Sequence, residues 1–155
     1  MHKSRIGAGV IAGVVAGVVF GAMMQMMSAP TPDGGEMPMM AMIGAIVGSP
    51  TIAAGWLYHL FNSAVIGGLF GLLLGNRVSG FGSGLGWGAA YGFVWWILGG
   101  LILMPVLLGM SPFAPLMMAG MQPVAIGSLM GHLIFGLILG GLYVAIRRPV
   151  VLAHA

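Results

Sequence analysis

Charged side chains are scarce in this 155-residue sequence, where they make up 5% of the residues against 59% hydrophobic ones. A soluble domain carries about a quarter charged residues, so this chain has too little charge to solvate a folded surface. Its five Lys and Arg and two acidic residues are too few and too scattered for a nucleic-acid surface. The composition therefore predicts an integral membrane protein in contact with the lipid bilayer and without a nucleic-acid partner.

The sequence lacks the residues that several kinds of chemistry require. The sequence has no cysteine, which excludes disulfides, thiolate metal sites and thiol chemistry. No Asp, Glu, Lys or Arg falls inside a long apolar stretch, although ion-coupled transport normally needs such groups within the membrane. GSGLG at 82–86 lacks the lysine and the strand context of a phosphate loop, and no nucleophile, base and acid form a set. We therefore do not expect an enzyme.

Long apolar stretches are what the sequence has in abundance. A hydrocarbon core of about 30 Å takes roughly 20 helical residues to cross. Four stretches are long enough, namely residues 6–28, 51–75, 83–109 and 123–146. The first follows the basic start MHKSR like a signal peptide, but it is long for one and no polar mature domain follows, so we interpret it as a retained span.

Two shorter apolar segments lie between the spans, at 38–48 and 112–121. The first would be only about 16 Å long as a helix, which is too short to cross. We expect both segments to lie along the interface or to dip partway into the membrane. The chain is then a single transmembrane domain over residues 1–155.

The charges are divided between the two sides of this arrangement. One side holds every cation, and the other side holds both acids, Asp33 and Glu36. The cations are Lys3, Arg5, Arg77, Arg147 and Arg148. Because basic loops stay in the cytoplasm, we expect cytoplasmic N and C termini in a multi-pass protein of the inner or plasma membrane.

An internal repeat links the two halves. HLFNSAVIGGLF (59–70) aligns with HLIFGLILGGLY (132–143) at an offset of 73 residues. At a slightly different offset, glycines spaced by four residues match between spans one and three; they are Gly9, Gly13 and Gly17, and Gly84, Gly88 and Gly92. The alternative is chance similarity between Gly- and Leu-rich helices. We predict an all-α fold of two repeated helical hairpins, related by a pseudo-two-fold axis along the membrane normal.

His59 and His132 occupy matching places in this repeat. Each lies nine residues after a proline that opens its span, Pro50 or Pro123, which puts both rings about 13 Å along their helices. Small residues lie one turn away on either side, and they are Gly55 and Ser63 in one span and Ser128 and Gly136 in the other. Such clearance suits a planar macrocycle.

The histidine pair has three interpretations. Bis-imidazole ligation between helices is typical of haem b, which we place ahead of a bare metal ion at His59 and His132. Ser63, Asn62 and Ser128 are candidate hydrogen-bond partners for the second ring nitrogen of each ligand. Alternatively, the histidines are a structural hydrogen-bonded pair, or they are separate and unrelated. His2 and His154 are terminal, and we expect them to be solvated and inert.

Methionines and tryptophans offer further candidate sites. Most of the 15 methionines fall within 23–42 or 104–121, on the acidic side. Thioether clusters can hold Cu(I), but methionine also fills irregular gaps, and we favour gap filling because no His or Cys joins the clusters. Trp95 and Trp96 lie near the middle of span three, where we expect them to pack on a helix or lipid; flanking a cofactor is the alternative.

Spans two to four resemble a family of small four-helix membrane proteins of bacteria and archaea whose function is unassigned. The resemblance lies in MPMMAMIGAIVG (37–48), GWLYHLF (55–61) and GSLMGHLIFGLILGGLY (127–143). It implies the four-span fold and no particular chemistry. We expect an accessory subunit of a larger respiratory or electron-transfer complex, or a homo-oligomer. The alternatives are a channel or carrier for a neutral or metal species, with the histidines along its path, and a ligand-free structural or assembly protein.

Overall fold

Four long helices dominate the computed structural model, which describes residues 4–31 and 33–147. In chain order the elements are α1 (Arg5–Gln25), β1 (Ser28–Pro30), β2 (Glu36–Pro38), α2 (Met39–Ala45), α3 (Ile52–Leu74), α4 (Phe81–Trp95), a π-helical segment (Trp96–Leu103), α5 (Met104–Leu107), α6 (Ala114–Met117) and α7 (Gln122–Arg147). The candidate membrane spans are α1, α3, the continuous helix Phe81–Leu107 and α7. Each overlaps its predicted stretch closely, so the prediction of four spans is confirmed.

The two ends of the bundle differ in composition. Arg5, Arg77 and Arg147 lie at the end that we call the arginine end, where the Arg5 guanidinium donates to the side chain of Asn76. The opposite end, which we call the methionine end, carries Asp33 and Glu36 together with β1, β2, α2 and α6. His2, Lys3, Arg148 and His154 lie outside the described residues.

Rows of glycine bring the helices together in pairs. Gly9 and Gly13 of α1 pack on the backbone of Gly67 in α3, and a β-carbon at any of the three would overlap the facing helix. Gly88 of α4 packs on the carbonyl oxygen of Gly136 in α7 in the same way. Small residues let backbones approach closely in lipid, so these rows determine how α1 pairs with α3 and how α4 pairs with α7.

α1 lies between two neighbours. Beside its glycine row, Ala8, Ala12 and Ala16 are buried in a cluster that also contains Leu139 and Tyr143 of α7. The glycine row therefore faces α3 and the alanine row faces α7. The result is a bundle in which α1 and α7 are central, while α3 and α4 are on the flanks.

The flanking helices α3 and α4 meet toward the arginine end. The Tyr91 hydroxyl donates to the carbonyl of Ile66 at 2.8 Å, and the rings of Phe70 and Tyr91 are edge-on with centroids 5.3 Å apart. Toward the methionine end the two helices separate and a cavity lies between them.

The π-helical segment was not predicted, and Pro105 explains where it falls. Proline has no N–H to donate to the carbonyl four residues earlier, and its ring crowds that carbonyl. The oxygen of Leu101 accepts instead from the backbone N–H of Phe113 at 2.6 Å. Gly99 accepts from Met104 across a wide π turn, and a Gly-Gly pair offers little resistance to such a rearrangement.

The methionine end adds a small β-hairpin to the mainly helical chain. β1 and β2 form a two-stranded antiparallel hairpin in which Ala29 pairs with Met37. Within segment 38–48, α2 is buried against α3, because Gly55 of α3 lets the carbonyl of Met40 approach closely. Within segment 112–121 the only helix is the short α6. The chain is mainly helical rather than wholly so.

Two neighbouring glycines of α4 test the packing argument. Gly88→Ala should lower the free energy of unfolding by about 1–3 kcal/mol, the usual cost of overpacking, because the new methyl group overlaps the Gly136 carbonyl. Gly86→Ala is the matched control, since nothing lies within 4 Å of its β-carbon position. Denaturation in mixed micelles measures both, and equal stabilities would contradict the glycine-row interpretation.

A candidate ligand site around two histidines

His59 and His132 meet around one phenylalanine. The centroid of the Phe20 ring lies 5.5 Å from that of His59 and 4.7 Å from that of His132, with both contacts edge-on. The two imidazoles are therefore at most the sum of these distances apart. α1 supplies Phe20, α3 supplies His59 and α7 supplies His132, so three helices bring the predicted residues together.

His59 forms a hydrogen bond between helices. Its Nε2–H donates to the carbonyl oxygen of Gly17 in α1 at 2.8 Å. Gly17 lies in the glycine row, and its lack of a side chain lets the helices approach closely enough for this bond. The ring was expected to bond to Ser63 or Asn62. Ser63 instead donates its hydroxyl to the backbone carbonyl of His59 at 2.7 Å.

His132 forms its hydrogen bond within its own helix. Its Nδ1–H donates to the backbone carbonyl of Ser128, one turn earlier, at 2.7 Å. The partner is thus the main chain of Ser128 and not its expected hydroxyl. A carbonyl partner of this kind fixes the tautomer and the orientation of a metal-ligating imidazole.

Each ring keeps one nitrogen available. A carbonyl can only accept, so the bonded nitrogens, Nε2 of His59 and Nδ1 of His132, carry the protons in the neutral rings. The lone pairs then belong to Nδ1 of His59 and Nε2 of His132. Both imidazoles can therefore donate an electron pair to a ligand without losing their helix contacts.

Gly55 and Gly136 do not provide the clearance expected of them. The space beside Gly55 is occupied by the carbonyl of Met40, and that beside Gly136 by the carbonyl of Gly88. Ser63, only 3% exposed, packs on Gly17 but also lines the cavity described next. Helix packing therefore uses two of the four predicted small residues, Gly55 and Gly136.

The histidines line a cavity of about 300 Å³ between α3 and the π-helical segment. Its walls are mainly apolar, and its polar side chains include His59, Asn62, Ser63 and His132. We call it the histidine cavity. Concave, mostly apolar sites with a few polar groups are typical of small-molecule binding, and this volume is at the lower end of their range of about 300–1,000 Å³.

A second, smaller cavity lies next to it toward the methionine end. Its volume is about 50 Å³, and we call it the methionine cavity. Seven methionines line it, and they are Met24, Met27, Met39, Met42, Met104, Met110 and Met121. His132 and Phe20 line both cavities. Sequence reasoning missed that a histidine joins the methionine clusters, because His132 lies inside the fourth span and the clusters lie at span ends and in the segments between spans.

The two tryptophans of the π-helix junction have different contacts. Trp96 donates its indole N–H to the carbonyl of Ala125 in α7 at 3.1 Å, so it packs on a helix as expected. Trp95 lines the histidine cavity and contacts the ring of Tyr91. Trp95 is thus placed to flank a ligand, the alternative considered for these residues.

Comparisons with protein families, with curated proteins and with solved structures find nothing that matches this chain. The resemblance to a family of small four-helix membrane proteins stays a prediction. The geometry of the two cavities and of the helix surfaces is therefore the basis for a proposed function.

The different hydrogen bonds of the two histidines predict different structural roles. His59→Leu removes a bond between helices and should destabilise the bundle by about 0.6 kcal/mol, the measured average for such bonds in membranes, and by no more than about 1.7 kcal/mol, the measured maximum. His132→Leu removes only a bond within α7 and should have a smaller effect. Denaturation in mixed micelles compares the two variants. His59→Gln, whose amide N–H can reach the Gly17 carbonyl, should recover part of the loss; a larger effect at His132 would contradict this assignment.

Proposed function

We propose that this protein is a small accessory subunit of a larger membrane complex, of the respiratory or electron-transfer kind, that holds a ligand at His59 and His132. The observation that supports it best is the pair of imidazoles in an apolar cavity, each with one lone pair available. Burying a titratable group within a membrane span costs free energy, so its presence there suggests a function.

Haem b is the ligand we propose first. The fixed tautomers suit it, because each ring offers one nitrogen while a backbone carbonyl holds the other. Phe20 contacts both rings, so a macrocycle bound between them requires the Phe20 side chain to turn aside. If bound, haem would supply one-electron chemistry; His59 and His132 would hold it in a mainly apolar cavity.

The outer face of α4 supports the proposal that a partner subunit binds here. Gly82 and Gly86 have nothing within 4 Å of their β-carbon positions, and Ala90, four residues further, is also exposed. This spacing of small residues matches that of the packed glycine rows within the bundle. A helix of a neighbouring subunit, or of a second copy, can approach closely here.

A channel or carrier for a neutral or metal species is the second candidate. It is favoured by the continuity of the two cavities, whose walls share five residues. They are Phe20, Met24, Gly100, Met104 and His132. A path past His132 would connect the methionine end with the groove between α3 and α4.

We also propose that the two hairpins are copies of one unit with both termini in the cytoplasm. Gly13 packs on Ser63 and Gly67, and Gly88 packs on Gly136 and Gly140, the positions that the repeat offsets relate. The arginine end would then face the cytoplasm of a bacterial inner membrane or a plasma membrane.

Absorption spectra test the haem proposal. Purified protein titrated with haemin should develop a Soret band with a bis-imidazole spectrum, because His59 and His132 each keep one unprotonated ring nitrogen. His59→Ala and His132→Ala should each change that spectrum, and Phe20→Ala should keep or strengthen it. Native co-purification with a larger redox complex tests the subunit assignment.

The other functions give different outcomes. A colourless protein that drives ion or solute flux in liposomes would support the channel or carrier. A colourless and inactive protein that co-purifies with a complex would support a structural or assembly role. A spectrum unchanged in both histidine variants would overturn the ligand site.

Single cysteines test the orientation, since the natural chain has none. Ser79 and Ser111 are both exposed, the first at the arginine end and the second at the methionine end. A membrane-impermeant maleimide added to intact cells should label Ser111→Cys, and it should label Ser79→Cys only after permeabilisation. The reverse pattern would contradict cytoplasmic termini.

A further inference from the structure

The methionine cavity brings together side chains from distant parts of the sequence. Met24 and Met27 come from the end of α1 and the turn after it, Met39 from α2, and Met121 from just before α7. Met39 and Met121 are each 4% exposed. The cavity continues inward to His132, whose Nε2 is free to accept a proton or bind a metal.

The size of the cavity restricts its occupant. At about 50 Å³ it is far below the range of about 300–1,000 Å³ typical of sites for organic ligands. The space is therefore too small for a typical organic ligand and suits a small ion.

The lining chemistry restricts the occupant further. No carboxylate lines the cavity, and the described residues contain no group of three or more His, Cys, Asp or Glu able to hold a metal. Magnesium and calcium need oxygen ligands. Thioether sulfur is a soft donor that selects Cu(I), and imidazole is a suitable companion ligand.

We propose that the methionine cavity binds Cu(I) through methionine thioethers, with Nε2 of His132 as its innermost ligand. A monovalent ion is less costly to dehydrate in a neutral apolar site than a divalent one, since the Born cost of burial rises with the square of the charge. Asp33 and Glu36 provide negative charge at the same end of the bundle, which favours the approach of a cation.

Gap filling by flexible methionine is the competing explanation. It predicts that leucine, which has a similar volume, replaces each methionine without loss of function. Met40 serves that purpose in this fold, because it is fully buried yet lines neither cavity. Met39, its neighbour on α2, lines the methionine cavity, so the two form a matched pair.

This inference deepens the second candidate function by naming the metal, but binding itself requires no transport. It is also separable from the haem proposal. Both metals would use Nε2 of His132, whereas Met39 and Met121 line only the methionine cavity and His59 lines only the histidine cavity. A failure of copper binding therefore leaves the haem and flux experiments unaffected.

Silver binding to the purified full-length protein tests the site, with Ag(I) as a redox-inert probe for Cu(I). Equilibrium dialysis with metal analysis should find about one tightly held ion per chain, at the cavity that His132 and the methionines line. Zn(II) and K⁺ should not displace it. In a separate dialysis without silver, Cu(I) kept reduced by ascorbate should bind with the same stoichiometry. The absence of cysteine removes thiolate binding as a background.

Single and double variants then identify the side chains that bind the ion. Met39→Leu combined with Met121→Leu should weaken Ag(I) binding by at least about tenfold, the scale on which metal sites lose affinity when a supporting group is removed. His132→Ala should also weaken it, whereas Met40→Leu should leave it unchanged. Met27→Leu with Met110→Leu, two less buried positions, repeats the test if the first pair impairs folding.

Three results would overturn the proposal. The first is natural protein that retains no Ag(I) after dialysis. The second is equal affinity in Met40→Leu and in both cavity double variants, which would assign these methionines to packing alone. The third is displacement of Ag(I) by Zn(II), which would indicate a site without thioether selectivity.

Discussion

Close approach between glycine-lined helix faces is the constraint on which the rest of this structure depends. In lipid the hydrophobic effect does not drive helices together, so association relies on packing and on hydrogen bonds between helices. α1 packs closely on two helices, because its glycine row contacts α3 and its alanine row contacts α7. Tight pairing of α1 with α3 and of α4 with α7 leaves α3 and α4 to separate, and the histidine cavity is the result.

The same packing explains how imidazoles are tolerated inside the bundle. A buried polar group without a partner is costly, and water is scarce in the hydrocarbon region. Gly17 exposes its carbonyl to His59 because no side chain intervenes, and α7 offers the Ser128 carbonyl to His132. The two histidines thus have different partners, and only the one on α3 makes its hydrogen bond between helices.

The π-helical segment, an irregular turn in the third span, forms part of the walls of both cavities. Pro105 interrupts the hydrogen bonds of the third span, and the widened turn places Gly100 against the ring of His132, with 3.4 Å between its β-carbon position and the His132 Cε1. Gly100 lines both cavities. π-Helical turns are often found at functional sites, and here the turn forms the wall where the two cavities join.

The sequence by itself determined the membrane class, the four spans and the glycine spacing, and it singled out His59 and His132, because hydropathy, residue spacing and residue chemistry are properties of local stretches. It did not reveal the β-hairpin, the π-helical segment or the burial of α2. Only the tertiary structure decided that Phe20 lies against both imidazoles, that Gly55 and Gly136 serve packing, and that His132 lines the methionine cavity. These features arise where segments far apart in the chain meet, and such contacts depend on how the helices pack in three dimensions.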